Sequence, residues 1–534
     1  MRGLFENTGT FVRFKIRRER VVSSVWIISL ALFSYVLALG VPEMFDAPAR
    51  QALAETLKNP AMIAMMGPVY GADNFTAGAM YSVLMFIWVA MAVATMNIFL
   101  VVRHTRADEE AGRTEVVRSL PTGRLAILNS TMITAVIVNA VLALLTGLLI
   151  ASVGEESMPF GASMLYGVAL GLFGLFFAAV AALFSQLSAS SRGATGYSFV
   201  AMAVLYFIRA AGDLESEIIS LISPLGLIQR SQFFVENNIL PSVVLFILIV
   251  VVTAAAYKLN AVRDIGQGFI AARRGKPQGG RLMRSPLGFS FRLLRGTMIA
   301  WVVIIFILAA SYGTILPDID SFIAESEFYQ MIIGVSDDFP VIEMFVSTIT
   351  IVGAIFSSVP LLIIALRPFS EEREGRAESI LSSPVSRERY LCSYAIPAFL
   401  LSIALQFVNA GGLYLVSATF LDEPISFRFL FEANMVFLPA LWVFIGLVFL
   451  LGGLVPRFTS SIWAYFAFSF FTLFMGRMLD LPEWLGQITP FGHVPLLPVD
   501  EINFTASFVL TAIAVALLLL GIIAYERRDL KQSA

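Results

Sequence analysis

Glu109–Arg124 reads EEAGRTEVVRSLPTGR, and Glu372–Arg387 reads EREGRAESILSSPVSR. Displaced by 263 positions, the two stretches coincide at seven residues: Glu109/Glu372, Gly112/Gly375, Arg113/Arg376, Glu115/Glu378, Ser119/Ser382, Pro121/Pro384 and Arg124/Arg387. Each copy lies between two long apolar runs. Glu109 and Arg113, like Glu372 and Arg376, stand four apart in the favourable acid-before-base order of a helix. Val116 and Leu120 give the first copy an apolar edge, and Ala377 with Leu381 give one to the second. Pro121 and Pro384 end each helix at the residue before them. A charged helix between two membrane spans lies outside the hydrocarbon. One such loop is ordinarily a solvated connection; the same residues in the same register in two halves of one chain point to a docking element.

The pattern E-x-x-G-R-x-E followed by S-x-P or S-P-V-S-R resembles the coupling helix of the ABC type-two exporter permeases. With its preceding VVRHTRADEEAGR, the first copy is similar to the fused, double-length permeases known as exporters of polyketide antibiotics (tetronasin-type). The likeness covers nearly the whole chain in two halves. It implies that Glu109, Gly112, Arg113, Glu115, Glu372, Gly375, Arg376 and Glu378 carry docking and force from two copies of a separate ATPase subunit. ATP and Mg would then sit on those partners, and this chain itself would bind no cofactor. The motifs are specific for the superfamily and much less so for the cargo.

Composition agrees with a membrane protein. Of 534 residues, 58% are hydrophobic and 14% charged, and the mean hydropathy is +0.82; apolar runs of spanning length account for such values. A net charge of −2, without basic patches interleaved with aromatics, gives no reason to expect a nucleic-acid partner. The single cysteine, Cys392, excludes an internal disulfide. Arg13, Lys15, Arg17, Arg18 and Arg20 precede the first apolar run, which is too long for a signal peptide and lacks a clear cleavage site.

Twelve runs are long enough to cross a bilayer: 21–41, 79–102, 125–153, 160–187, 194–211 and 239–257, then 298–316, 342–366, 390–420, 429–455, 460–479 and 504–525. The predicted fold is all-α and integral to the membrane, two parallel six-helix halves forming a pseudo-dimer. The predicted domains are residues 1–259 with coupling loop 103–124, a basic linker with an interfacial helix at 260–296, and 297–534 with coupling loop 367–389. With both termini inside, only six of the 36 basic residues fall outside: Arg50, Lys58, Arg209, Arg230, Arg428 and Arg477.

The repeat continues beyond the loops. Pro224-Leu-Gly226 matches Pro490-Phe-Gly492, and Arg263-Asp264-Ile265 matches Arg528-Asp529-Leu530. Phe14-Lys15 matches Phe291-Arg292, and Arg209 with Asp213 matches Arg477 with Asp480. Such a repeat has its axis along the membrane normal. The basic stretches before spans one and seven read either as short helices along the inner surface or as plain positive flanks. Outside, the Met-rich stretch 52–66 reads as a helix interrupted at Pro60. The pieces 217–241 and 484–501, broken by Pro and Gly, resemble the re-entrant outer segments of the type-two exporters.

RRGKP in the linker lacks phosphate-loop spacing, and no nucleophile motif is present. His104 and His493 have no metal-ligating company; His104 reads as interfacial. The span interiors hold almost no ionisable groups, which disfavours ion-gradient coupling. Arg209 with Asp213, and Arg477 with Asp480, form an outer ion pair or gate. The resemblance places cargo against spans two, five, eight and eleven, where Tyr81, Met85, Trp88, Tyr197, Tyr206, Phe345, Phe356, Tyr465, Phe466 and Phe470 are candidate lining residues. Aromatics in a membrane helix more often pack than bind.

The reading that follows is the permease subunit of an ATP-driven exporter in a bacterial plasma membrane. Its partners are membrane lipids, a bulky apolar or amphiphilic small molecule and two ATPase subunits. An ion-driven secondary transporter fits twelve spans in two parallel halves equally well. An importer permease would need a longer spacing before the loop glycine.

Overall fold

Long apolar runs must satisfy their backbone groups internally in lipid, which makes them helices, and the computed structural model is helical throughout. It describes residues 2–264, 266–270, 280–313, 316, 340–421, 424–475, 482–498, 500 and 504–529. Among these the only strand-like pairing is one isolated bridge between Ser188 and Ile270. Among the described residues, eleven helices are long and apolar enough to cross a membrane. The chain divides into two compact units, Met1–Arg274 and Gly275–Ala534.

In the first unit the spans are Thr8–Met44, Ala77–Val102, Ala126–Ala151, Phe160–Leu187, Ser191–Glu215 and Leu240–Val262. Thr76 and Ser190 cap the second and fifth, each accepting a hydrogen bond from the backbone N–H three residues on. The outer stretch forms two helices, Ala47–Leu57 and Pro60–Met66. The break falls at Pro60, whose missing N–H suits a helix start. Met62 is buried, and Met65 and Met66 are half-buried.

The basic flank is continuous with the first span, since Thr8–Met44 is one helix. Pro286–Gly313 is likewise continuous from flank to span.

The second unit has spans Pro286–Gly313, Val341–Arg373 and Arg387–Phe420, then a tenth in two pieces, Phe427–Met435 and Leu438–Leu454. Pro439 at the start of the second piece accounts for the break. The last span is Phe504–Arg527. The run expected at 460–479 is described only as the fourteen-residue helix Ile462–Met475, too short to count among the eleven. A Cβ on Gly446 would meet Ala514, and one on Gly453 would meet Gly521, so the tenth and twelfth spans run parallel.

Both outer segments turn the same way. Glu217–Ile222 and Pro224–Gln229 double back so that a Cβ on Gly226 would sit 2.3 Å from the Ser220 carbonyl oxygen. In the second unit a Cβ on Gly492 would sit 2.2 Å from the Gly486 carbonyl oxygen. The matched Pro-x-Gly triplets thus mark a backbone approach that only glycine permits.

Candidate coupling site

The duplicated stretch is a helix–glycine–helix hinge, not one short helix. In the first unit the second span runs on past Val102 through a π-helical turn, Arg103–Ala107, to Glu110. Gly112, at φ +73°, then breaks it, and a new helix covers Arg113–Arg118. In the second unit the eighth span runs to Arg373, Gly375 takes φ +72°, and the new helix is Arg376–Leu381. A side-chain-bearing residue pays for this left-handed conformation and glycine does not.

The glycine turn changes the expected ion pairs. Glu109 and Arg113 belong to different helices, so their spacing of four brings no contact. Arg113 instead donates from Nε to Asp108 Oδ1 at 2.8 Å, and Arg376 donates to Glu371 and Glu374. Asp108 and Glu371 are themselves 263 positions apart, the repeat distance. Hydrogen bonding to Glu371, then to Glu374, holds the Arg376 guanidinium above its ordinary pKa.

The freed acids turn inward. Glu109 accepts from Arg263 at 2.6 and 2.9 Å and from the Gly266 N–H at 2.6 Å, with Arg106 at 3.2 Å. Glu372 accepts from Arg528 at 2.5 Å. Arg124 donates to the Arg263 carbonyl at 3.0 Å, and Arg387 to the Arg528 carbonyl at 2.6 Å. In both units, then, a loop acid and a loop arginine clamp the end of the last span. The clamp unites two pieces of the repeat that the sequence shows only as separate matches. Beside the first clamp is a cavity of about 20 Å³ lined by Glu109, Arg124, Gln186 and Arg263, room for one water.

The first clamp is the more elaborate. Buried Arg106 donates to the carbonyls of Ala189 at 2.6 Å and Gly266 at 3.0 Å, tying the loops after spans four and six together. Glu110 accepts from the N–H and hydroxyl of Ser191 at the start of span five. Beneath lies a buried charged layer. Lys15 Nζ donates to the Ile127 carbonyl at 2.7 Å and to Thr131 Oγ1 at 2.5 Å. Glu19 pairs with Arg103 at 3.0 Å and His104 at 2.8 Å, and Arg18 pairs with Asp108 at 2.9 Å. His104 is therefore a buried residue, not an interfacial one. Sequence reasoning missed this layer because Lys15 and Glu19 look like flank charges until span one packs against spans two and three.

Glu115, Glu378, Arg113 and Arg376 are exposed. Of the cargo candidates, Trp88, Tyr197, Phe356 and Phe470 are exposed, at 41–52%, whereas Met85, Phe345 and Phe466 are half-buried. Three others serve packing. Tyr81 is fully buried, donates to the Ser34 carbonyl and packs on Tyr166 and Phe234. Tyr206 donates to the Met65 carbonyl at 3.1 Å, and Tyr465 to the Ile488 carbonyl at 2.8 Å. A cleft of about 500 Å³ opens at the inner ends of spans two and five, lined by Phe99, Val102, Arg103, Ala107, Arg192 and Thr195 among others.

Arg209 is buried and pairs with Asp213 at 3.3 Å, the contact expected of it. Its shortest bond goes elsewhere: it donates to the Ala64 carbonyl at 2.6 Å and also to Met65, capping the C-terminal end of Pro60–Met66. Arg477 and Asp480 lie outside the described residues. The sequence also gave no hint of two buried asparagine pairs that join neighbouring helices. Asn97 and Asn139 exchange bonds of 3.0 and 2.7 Å, and Asn409 donates to Asn434 at 2.7 Å.

Membrane-length helices packed into two units define a multi-pass membrane protein. The chain belongs to the family described as multidrug efflux system permease Rv1217c, C-terminal domain, which it matches over residues 10–258 and 283–526. It is similar to the "Multidrug efflux system permease protein Rv1217c" of Mycobacterium tuberculosis, with 30% identity over 539 residues, 99% of this chain and 96% of that protein.

Proposed function

We propose that this permease is the membrane subunit of an ATP-driven ABC type-two exporter in its fused, double-length form, resident in a bacterial plasma membrane with both termini inside. Two nucleotide-binding ATPase subunits dock on the exposed faces of Arg113–Arg118 and Arg376–Leu381, and ATP with Mg is held there. The cargo is a bulky apolar or amphiphilic compound, as the relative's description as a multidrug efflux permease suggests; the cleft at the inner ends of spans two and five is of drug-sized volume.

The observation that carries the reading is the hinge with its clamp, built twice from matched residues. Closure of the ATPase pair would move the short helix about Gly112 or Gly375. Because Glu109 and Glu372 tie the hinge to the end of the last span, that motion reaches the whole unit instead of bending a loose loop. The test is the double variant Glu115→Lys, Glu378→Lys. Both side chains are exposed, so the protein should remain folded in the membrane while export is lost; undiminished export refutes the assignment.

One observation favours a second reading. Lys15, Glu19 and His104 are buried together at the inner ends of their spans, the kind of group an ion-coupled transporter uses. Purified protein in vesicles separates the two: cargo movement driven by a pH or sodium gradient without an ATPase subunit selects the second.

A further inference from the structure

Seven shared residues match the two hinges, and the short helices turn the same register outward, yet that outward face carries different residues in each. In the second unit Ala377 is 1% exposed, and Ile380 and Leu381 pack against the core of their own unit. Its outward positions are Glu378, Ser379, Ser382 and Ser383. In the first unit Thr114 takes the inward place of Ala377 at 7% exposure. Val116 and Leu120, which match Ser379 and Ser383, point outward at 71% and 59% exposure.

The first hinge is also held in place beforehand. Asn7 donates from its side-chain amide to the Pro121 carbonyl at 2.7 Å. The N–H groups of Gly123 and Leu125 donate to the Glu6 and Leu4 carbonyls at 3.2 and 2.9 Å. The apolar pair is thus presented on a loop whose ordering has already occurred, which lowers the entropic cost of binding. Exposed Glu115 adjoins Val116 and exposed Ser119 adjoins Leu120, so the pair sits within a polar rim, the anatomy of a protein interface.

We propose that the two hinges grip their ATPase subunits by different chemistry: Val116 and Leu120 insert into an apolar socket at the first, and the second engages through polar contacts alone. This rests on the coupling-loop reading above. The consequence is an ordered assembly in which the subunit at the first hinge is held more tightly than the one at the second. Burying the two aliphatic side chains removes their surface from water, a driving force that the serines at the matched positions of the second hinge lack.

The test is native mass measurement and titration of the full-length permease with its co-expressed Walker-motif ATPase subunit. For wild type, the expected result is two binding steps that differ in affinity. In Val116→Ser/Leu120→Ser the tighter step weakens about tenfold or more, the scale expected for loss of an anchor, and one subunit is lost first. The graft Ser379→Val/Ser383→Leu, which adds the pair to the second hinge, strengthens the weaker step. Two equal steps in wild type, an unchanged tight step in the first variant, or loss of membrane retention in place of subunit binding overturns the proposal. Equal steps would leave the exporter reading standing; absence of any bound ATPase subunit in wild type would remove both.

Discussion

Replacing Glu109 with Gln tests the clamp most directly. The side chains of Glu109 and Arg263 are 7% and 8% exposed, with 2.6 Å between Oε2 and a guanidinium nitrogen. Gln keeps the shape and one acceptor, so the Gly266 N–H bond survives while the charge is lost. Arg263 and Arg106 are left facing each other without a counter-charge. Removing one partner of a buried pair costs about 3–5 kcal/mol; the loop edge retains some solvent, so we take the lower end, about 3 kcal/mol. The hinge should then open locally before the unit unfolds. Such a loss corresponds to roughly a 100-fold rise in opening. Amide hydrogen exchange of purified protein reads it: Gly266 and residues 113–119 should exchange about 100-fold faster, while 376–382 are unchanged. A Glu109→Gln, Arg263→Met double variant should lose less than the two single losses combined, because the pair is coupled. Exchange altered by less than about threefold, or additive losses, would refute the clamp.

Further expectations concern the hinge glycine, the outer cap and the asparagine pair. Gly375→Ala places a Cβ at φ +72°, costing roughly 1–2 kcal/mol; export should fall with little change in membrane yield, read in a cell accumulation assay. Arg209→Met leaves the Ile63–Met65 carbonyls without their cap and should free Pro60–Met66, so trypsin should cut at Lys58 at least tenfold faster than in wild type. Asn97→Ala leaves the Asn139 amide only its bond to the Ala135 carbonyl, at about 1–2 kcal/mol on the scale of such bonds in membranes; adding Asn139→Ala should cost little more, measured as melting temperature in detergent.

Several parts of the protein were legible before any coordinates. Eleven of the twelve expected spans, counted among the described residues, followed from runs too long and apolar for anything else, and the shared register at 263 positions located the hinges. It also paired Arg263 with Arg528 in matched dipeptides after spans six and twelve, without showing that the loop acids hold them. The register held a further signal: Asp108 and Glu371 are both acidic at matched positions, though not identical, and they are the true partners of Arg113 and Arg376. Spacing along one helix chose Glu109 and Glu372 instead, since it assumed a helix that continues through the glycine.

The sequence by itself determined an all-helical membrane protein in two related halves with a charged loop repeated in each. This is because hydrophobic length and residue periodicity are local properties of the chain. Only tertiary structure decided which acid faces the arginine, which tyrosines hold outer segments, and that Lys15, Glu19 and His104 share one buried layer. It also decided that the apolar edge of one hinge is covered and that of the other is bare. Those outcomes depend on the φ angle of one glycine and on which helices pack side by side, and neither is encoded in the spacing along a single strand of sequence.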